Sequence, residues 1–237
     1  MAYLLVSSLA VVYFITLKTF ALFSMYTVGA GILSLLITLL YIRFWITHVE
    51  TRIEKIENFL TTNKNKPHFH LIYAIANQMD SDVKATTADL LDKEKRSICR
   101  AYYQVTTALY FNNVTEARNH VEKLKPECYR LYFRGLILLK EGNIEEADTM
   151  IEQINKPWMK FALLAEREQK LNNLEWAINY ANKAKRKMRG LNKYHFHKTY
   201  ERQFGLDAEH DDNIYNQSQT ASAETVPFVK ERSSSLN

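Results

Sequence analysis

The N-terminal part of the chain shows almost no alternation between apolar and polar positions. No charged side chain occurs from Ala2 to Leu17, and after Lys18 none occurs from Thr19 to Ile42. A single helix over this apolar part would be about 68 Å long at 1.5 Å per residue, against about 30 Å of hydrocarbon. Two helices joined by a turn fit that thickness and keep their backbone hydrogen bonds within lipid. We therefore predict a two-helix transmembrane hairpin in residues 1–47, with spans at about 2–22 and 26–46.

The basic residues that flank the second span predict its orientation. Arg43, Arg52 and Lys55 follow the span closely, whereas Lys18 alone lies near the turn. Basic residues at span ends favour the cytoplasmic side, so we expect a multi-pass protein of the cytoplasmic (inner) membrane with its soluble domain in the cytoplasm. A cleavable signal peptide is the alternative. It is not favoured, because the apolar run lacks a basic region before it and a small-residue cleavage site after it.

Apolar positions at helical spacing continue beyond the membrane segment, over residues 48–61. Charged side chains stand between them, which predicts an amphipathic juxtamembrane helix. The intervals of three and four residues are those of a coiled-coil seam. Two alternatives are open: the seam pairs with a second copy in a homodimer, or it packs on the protein's own domain. The seam consists of Val49, Ile53, Ile56 and Leu60.

Helical patterning persists through the rest of the soluble part. The polar stretch TTNKNKP at 61–67 predicts a linker, and helical spacing resumes on both sides of DSD at 80–82. A helix pair is therefore predicted over 68–94. Past residue 60 we find no run with the period-two alternation of strands, so the predicted fold class is all-α.

One hexapeptide design occurs three times at intervals of 30 residues. It reads NNVTEA at 112–117, GNIEEA at 142–147 and NNLEWA at 172–177. Asn or Gly in the first position suits the left-handed conformation that ends a helix, and the asparagine in the second position suits the cap of the next helix. The aliphatic residue in the third position is expected to dock the joint, and the final alanine lets the two helices approach closely. Each hexapeptide therefore predicts a joint between two antiparallel helices.

Helix breakers follow the three joints at similar distances. Pro126 and Pro157 end the first two units, and Gly190 ends the third. Three joints in register, each followed by a breaker, indicate an internal repeat rather than chance. We predict a helical-repeat domain at 62–206, in which the pair at 68–94 is a degenerate unit. The repeats are at about 97–126, 127–157 and 158–190.

These features resemble the tetratricopeptide repeat family. The resemblance rests on the small residues Gly135 and Ala165, the turn residues, the Glu-Ala pairs at 116–117 and 146–147, and the prolines after the second helices. The chain departs from the family in its period of 30 rather than 34 residues, in its missing tryptophan and in Val105. The resemblance implies an antiparallel helix-pair α-solenoid that binds a protein partner in a concave groove lined by the first helices.

The groove implied by this resemblance is rich in aromatic residues, which are favoured at binding surfaces. The alternative is that most of these rings belong to the core between helices. The predicted groove residues are Tyr102, Tyr103, Thr106, Tyr110, Tyr129, Tyr132, Leu136, Met159, Glu166 and Lys170.

The formal net charge of +5 is concentrated at the end of the third repeat. This basic stretch is predicted either to attract anionic lipid or an acidic partner, or to be an ordinary solvated helix face. Nucleic acid is the least favoured partner, because no nucleic-acid-binding module accompanies the stretch. The basic stretch comprises Lys183, Lys185, Arg186, Lys187, Arg189 and Lys193.

We predict no enzyme activity, cofactor or metal site. The sequence contains six glycines and shows neither a glycine-rich phosphate loop nor a nucleophile elbow. The sequence HFH occurs at 68–70 and 195–197, but histidines two apart on a helix point in nearly opposite directions and cannot chelate one ion. The polar tail at 207–237 is predicted to be disordered. The expected function is a membrane-anchored adaptor that binds a protein partner. The alternative is a regulatory or assembly subunit that acts through its transmembrane hairpin.

Overall fold

Regular secondary structure in the described part of the chain, residues 12, 13, 15, 16 and 25–205, is helical throughout. The computed structural model contains eleven full helices and no strand in these residues, which confirms the all-α prediction. The helices are α1 (Met25–His48), α2 (Ile53–Thr62), α3 (Pro67–Ala76), α4 (Asp80–Lys93), α5 (Ser97–Tyr110), α6 (Val114–Val121), α7 (Glu127–Glu141), α8 (Ile144–Gln153), α9 (Pro157–Lys170), α10 (Leu174–Lys187) and α11 (Gly190–Phe204).

Helix α1 is the apolar helix of the structure. Its stretch Val28–His48 is 21 residues long, carries a mean hydropathy of 1.8 and is long and apolar enough to cross a membrane. Large side chains such as Leu33, Leu40 and Tyr41 are exposed along it. The predicted first span at 2–22 lies outside the described residues except for positions 12, 13, 15 and 16.

The three hexapeptides form the same joint. Asn112, Gly142 and Asn172 have φ angles of +57°, +85° and +59°, which is the left-handed conformation predicted for them. The residue after each of them donates its N–H to the carbonyl five positions back, at 2.7, 2.9 and 2.8 Å, as in a Schellman motif. Of the asparagines expected to cap the following helices, only Asn113 accepts a side-chain hydrogen bond, from Glu116 N at 3.2 Å.

A fourth joint of the same geometry connects α3 to α4. Gln78 has φ of +56°, and Met79 donates its N–H to the Ala74 carbonyl at 2.9 Å. Val83 lies where the hexapeptides have their alanine, and it is equally fully buried. The helix pair predicted at 68–94 therefore has the same construction as its three successors, although its letters are different.

The helix pairs pack in chain order, and α11 then returns to the start of the array. Contacts run from α3–α4 through α5–α6 and α7–α8 to α9–α10, and α11 packs against α10, α1, α2 and α3. The fully buried Tyr194 fixes this return: its hydroxyl donates to Glu57 Oε1 at 3.0 Å and accepts from Asn77 Nδ2 at 3.0 Å. Arg202 donates to the Ala76 carbonyl at 2.6 Å. Side chains of α3, α5, α7, α9 and α11 line one common cavity, and we call these five helices the ring.

The N-terminus of α11 meets the end of α1 at Gly190. The Gly190 N–H donates to the Glu50 carbonyl at 2.8 Å. Gly190 has a positive φ of +56°, and a Cβ atom there would lie 2.0 Å from the Thr47 carbonyl oxygen. Only glycine fits both the backbone conformation and the space, so this residue permits the contact between the apolar helix and the ring.

The predicted helix over 48–61 is interrupted. Between α1 and α2 the buried Glu50 carboxylate accepts the backbone N–H groups of Thr51 and Arg52, at 3.0 and 3.1 Å, and also pairs with the Arg52 side chain. Burial raises the pKa of Glu50, but the hydrogen bonds from Arg52 and Thr51 outweigh it and lower the pKa to about 2. Local side-chain bonds of this type compete with a continuous helix.

The four residues of the predicted seam lie at this bend and in α2. Ile56 and Leu60 are fully buried in a core cluster with Phe69 and Tyr194, and Ile53 packs against that cluster. Val49 lies in the interruption and is half-buried. Of the two alternatives, the seam therefore packs on the protein's own domain, because α3 and α11 already cover its apolar face.

Replacing Gly190 tests the junction between α1 and the ring. We expect Gly190→Ala to lower the free energy of unfolding by more than about 3 kcal/mol, because it combines backbone strain of about 1–2 kcal/mol with a collision against Thr47. Gly205→Ala is the matched control: Gly205 has φ of +63° but nothing within 4 Å of an added Cβ. Thermal unfolding in detergent measures both variants. Equal losses in the two variants would contradict the role assigned to this contact.

Candidate functional site

A cavity of about 360 Å³ lies at the centre of the ring. Side chains from α3, α5, α7, α9 and α11 line it, and it is partly open to solvent. Eight of the ten predicted groove residues are among these side chains. They are Tyr102, Thr106, Tyr110, Tyr129, Tyr132, Leu136, Glu166 and Lys170.

Two predicted groove residues lie elsewhere. Met159 is fully buried in the main core, on the side of α9 that faces the other helices. Tyr103 packs against the separate cluster formed by Leu71, Ile75 and Val83, between α4 and α5. Each follows a lining residue, Trp158 or Tyr102, by one position, and one position turns a side chain by about 100° around the helix axis, away from the cavity.

A chain of aromatic contacts forms one wall of the cavity. Ring centroids of Tyr102 and Phe133 are 5.9 Å apart and those of Tyr132 and Trp158 are 5.6 Å apart. The Trp158 and Phe196 centroids are separated by 5.7 Å, edge to face. These pairs connect α5, α7, α9 and α11 in sequence. Aromatic pairs with such tilted geometry add stabilisation beyond the area they bury, so the wall is well ordered without a ligand.

Three cations gather at one mouth of the cavity. Lys140, Lys170 and Arg202 belong to the last turns of α7, α9 and α11, and all three are exposed. Lys140 donates to Asn112 Oδ1 at 3.0 Å, which holds it at the joint between α5 and α6. Helix C-termini attract cations, and each of the three side chains belongs to such an end. The result is a positive rim around this opening.

Glu166 is the single carboxylate among the cavity-lining residues that the structure describes. It lies one turn before Lys170 on α9. Burial raises the pKa of Glu166, although a hydrogen bond from Gln203 and the nearby Lys140 and Lys170 act in the opposite direction. Three cations and one carboxylate from the described residues therefore line the cavity. Burial disfavours the charged form of that carboxylate, Glu166.

Other ionisable groups in the cavity are held uncharged. Burial, with the nearby Arg202 guanidinium, lowers the pKa of His195 to about 4. Burial raises the pKa of the Tyr102 hydroxyl to about 12, although the outer edge of that ring is exposed, and it raises the pKa of Tyr132 further. At neutral pH these three side chains are therefore uncharged, and the lining cations belong to the rim.

The predicted open groove is closed by α11. An α-helix with its side chains is about 10–12 Å wide, so a cavity of about 360 Å³ does not admit a helix of two turns. Sequence reasoning missed the residues that α11 contributes, because the position of that helix is set by contacts with α1, α2 and α3. The HFH sequence at 195–197 was the one feature that could have indicated them, because its His195 and Phe196 line the cavity.

The basic stretch surrounds the junction between α10 and α11. Arg186, Lys187 and Arg189 are exposed, and the Lys183 ammonium lies 5.2 Å above the Tyr180 ring. The remaining members, Lys185 and Lys193, are half-buried. Since the neighbouring Gly190 contacts Thr47 near the end of α1, the stretch lies where the apolar helix meets the ring.

Three apolar side chains, which we call the apolar cluster, are exposed at the third joint. Leu171, Leu174 and Trp176 are 43%, 57% and 55% exposed. Leu174 was expected to dock the joint, as Val114 and Ile144 do in the other two repeats, where they are half-buried against the core. It does not, and this corrects that part of the hexapeptide prediction.

Compared with known proteins, the chain matches no protein-family model, no curated protein and no solved structure.

Titration of His195 tests the neutral interior of the cavity. Between pH 6.5 and pH 4 the unfolded chain binds a proton at this residue that the folded chain does not, so stability falls as the pH falls through this window. His195→Gln should remove a slope of up to about 1.4 kcal/mol per pH unit. Urea unfolding at half-unit pH steps measures the slope. Identical slopes in wild type and variant would contradict the burial of a neutral imidazole.

Proposed function

We propose that the protein is a membrane-anchored, tetratricopeptide-like adaptor that binds a protein partner on the outer side of its ring. Helix α1 is the second span of a transmembrane hairpin, and the ring stands at the cytoplasmic face. The observation that carries this proposal is the exposed apolar cluster of Leu171, Leu174 and Trp176 on a domain attached to an apolar helix. No catalytic role is part of the proposal.

The apolar cluster departs from the repeat in which it occurs. Trp176 stands where NNVTEA has Glu116 and GNIEEA has Glu146. The first two joints therefore offer charged side chains to solvent, and the third offers a tryptophan and two leucines. Tryptophan is among the strongest anchors at protein interfaces, so the exposed Trp176 is the residue expected to anchor a partner.

The surface around the cluster supports a docking role for α10. Trp176 lies against Tyr180, with ring centroids 6.2 Å apart, and Tyr180 in turn stacks near Phe161 at 6.3 Å. The Lys183 ammonium covers the other end of this row. The row therefore runs along one face of α10 from an apolar end to a basic end, which suits a partner with an apolar anchor and nearby acidic residues.

Orientation toward the cytoplasm is supported by charge at the end of α1. Arg52 and Lys55 are exposed next to the span, and the basic stretch at Lys187 and Arg189 joins them through the Gly190 contact. Cations at this level attract the anionic headgroups of the inner leaflet. We propose that these residues hold the ring against the membrane surface, which leaves the apolar cluster for a protein.

Photo-crosslinking tests the docking site. Benzoylphenylalanine in place of the exposed Glu175 should yield a defined adduct in native membranes, whereas the same probe at the equivalent positions Thr115 and Glu145 should not. Adding Trp176→Glu should reduce the adduct by about tenfold, because truncating an interface anchor commonly costs at least 1–2 kcal/mol. The adduct is quantified by immunoblotting and its partner identified by mass spectrometry.

The tryptophan variant has a built-in folding control. Trp176→Glu introduces the residue that the other two repeats have at this position, and the site is exposed. The free energy of unfolding of this variant should therefore stay within about 0.5 kcal/mol of wild type. An adduct that persists at full yield in this variant would refute docking at the cluster. An adduct formed only with probes in α1 would instead favour a regulatory subunit that acts through its transmembrane segment.

A further inference from the structure

The central cavity has the size and polarity of a small-molecule site. Its volume of about 360 Å³ lies at the lower end of the range for such sites, about 300–1,000 Å³. Its aromatic wall is preorganised by tilted ring pairs that link four helices. Apolar side chains around an unfilled space lose the dispersion contacts that a filling group would supply. A ligand with an apolar body therefore complements most of this lining.

Charge in the cavity is distributed along its length. On α9, Trp158 is the second residue and Lys170 the last, which places them about 18 Å apart along the helix axis. Uncharged rings surround the Trp158 end, including Tyr132 and Phe196, while Lys140 and Arg202 flank Lys170 at the rim. The cavity thus has one apolar end and one positive end.

The charge at the rim decides whether the cavity suits an anionic or a cationic ligand. Aromatic walls with one carboxylate can also cradle a cation. Here, however, the three lining cations Lys140, Lys170 and Arg202 outnumber the lining carboxylate of Glu166 together with the neighbouring Asp80, which accepts a hydrogen bond from the lining Tyr110 hydroxyl. Burial raises the pKa of Glu166 and so acts against the charged form of this carboxylate. His195 and Tyr132, which also line the cavity, are uncharged at neutral pH because burial lowers the pKa of the histidine and raises that of the tyrosine.

We propose that the central cavity binds a single-chain anionic amphiphile, with its acid head at Lys140, Lys170 and Arg202 and its apolar chain along the aromatic wall toward Trp158. Charge-assisted hydrogen bonds from the rim hold the head, and the wall excludes water from the chain. The cavity volume suits one chain rather than the two of a phospholipid. This inference is independent of the protein partner, because Leu174 and Trp176 do not line the cavity.

The tryptophan at the apolar end supplies a reporter. The chain has three tryptophans, so Trp45→Phe with Trp176→Phe leaves Trp158 as the single one. The full-length protein in zwitterionic nanodiscs is titrated with 11-bromoundecanoic acid, whose bromine quenches an indole only on contact. The matched alcohol and the matched trimethylammonium compound carry the same brominated chain with a neutral or a cationic head. Saturable quenching of Trp158 by the acid is expected, at least about tenfold tighter than by either analogue.

Rim variants connect the quenching to the proposed head site. Lys170→Gln should weaken the acid about tenfold and leave the alcohol unchanged, since it removes one charge-assisted contact. Lys170→Glu should reverse the preference toward the cationic analogue. Lys123→Gln, an exposed lysine on the outer side of the ring, should change nothing. Circular dichroism confirms that each variant keeps the wild-type helix content.

Defined results would overturn the proposal. Equal quenching by the three probes, a preference of the wild type for the cationic probe, or an unchanged affinity in Lys170→Gln would each refute an acid head at the rim. Quenching of Trp158 by brominated phosphatidylglycerol in discs without free acid would refute the assignment to a single-chain ligand.

Discussion

The hydrogen bond from Gly190 N–H to the Glu50 carbonyl is the contact on which the arrangement of the helices depends. It forms where two backbones approach too closely for any side chain, and it joins the end of the apolar helix to the beginning of the last helix. From this point α11 runs along α2 and α3 and closes the ring. The central cavity, the positive rim and the position of the basic stretch all follow from that closure.

The joints between helices were predictable because their causes are local. A left-handed residue followed by a capping position has a recognisable sequence, and Asn112, Gly142 and Asn172 adopt that conformation as expected. The joint at Gln78 has the same backbone but a different sequence, so the break at residues 80–82 predicted a helix pair without indicating its left-handed residue. Closure of the ring had no signal in the sequence. Tyr194 and its partner Glu57 are 137 residues apart, and neither stands out within its own helix.

The cavity residues also divide into those that the sequence predicts and those that it does not. Those on α5, α7 and α9 follow from the periodicity of single helices, which fixes the face that each helix turns toward the ring. The residues of α11, among them His195 and Arg202, could not be predicted. The repeat pattern predicts a groove but carries no information on which helix covers it. The seam at Ile56 and Leu60 shows the reverse problem: its spacing is that of a coiled coil, yet the partner is the protein's own core.

Closure of the ring also limits how many repeats the protein can contain. An open array of helix pairs gains or loses a unit at little cost, because each unit contacts only its neighbours. Here an added unit would carry α11 away from α3 and break the bond between Arg202 and the Ala76 carbonyl. The same closure leaves no unpaired terminal unit, since the first and last helices of the array cover each other. We therefore expect duplication or loss of a helix pair to be far less tolerated than changes within one.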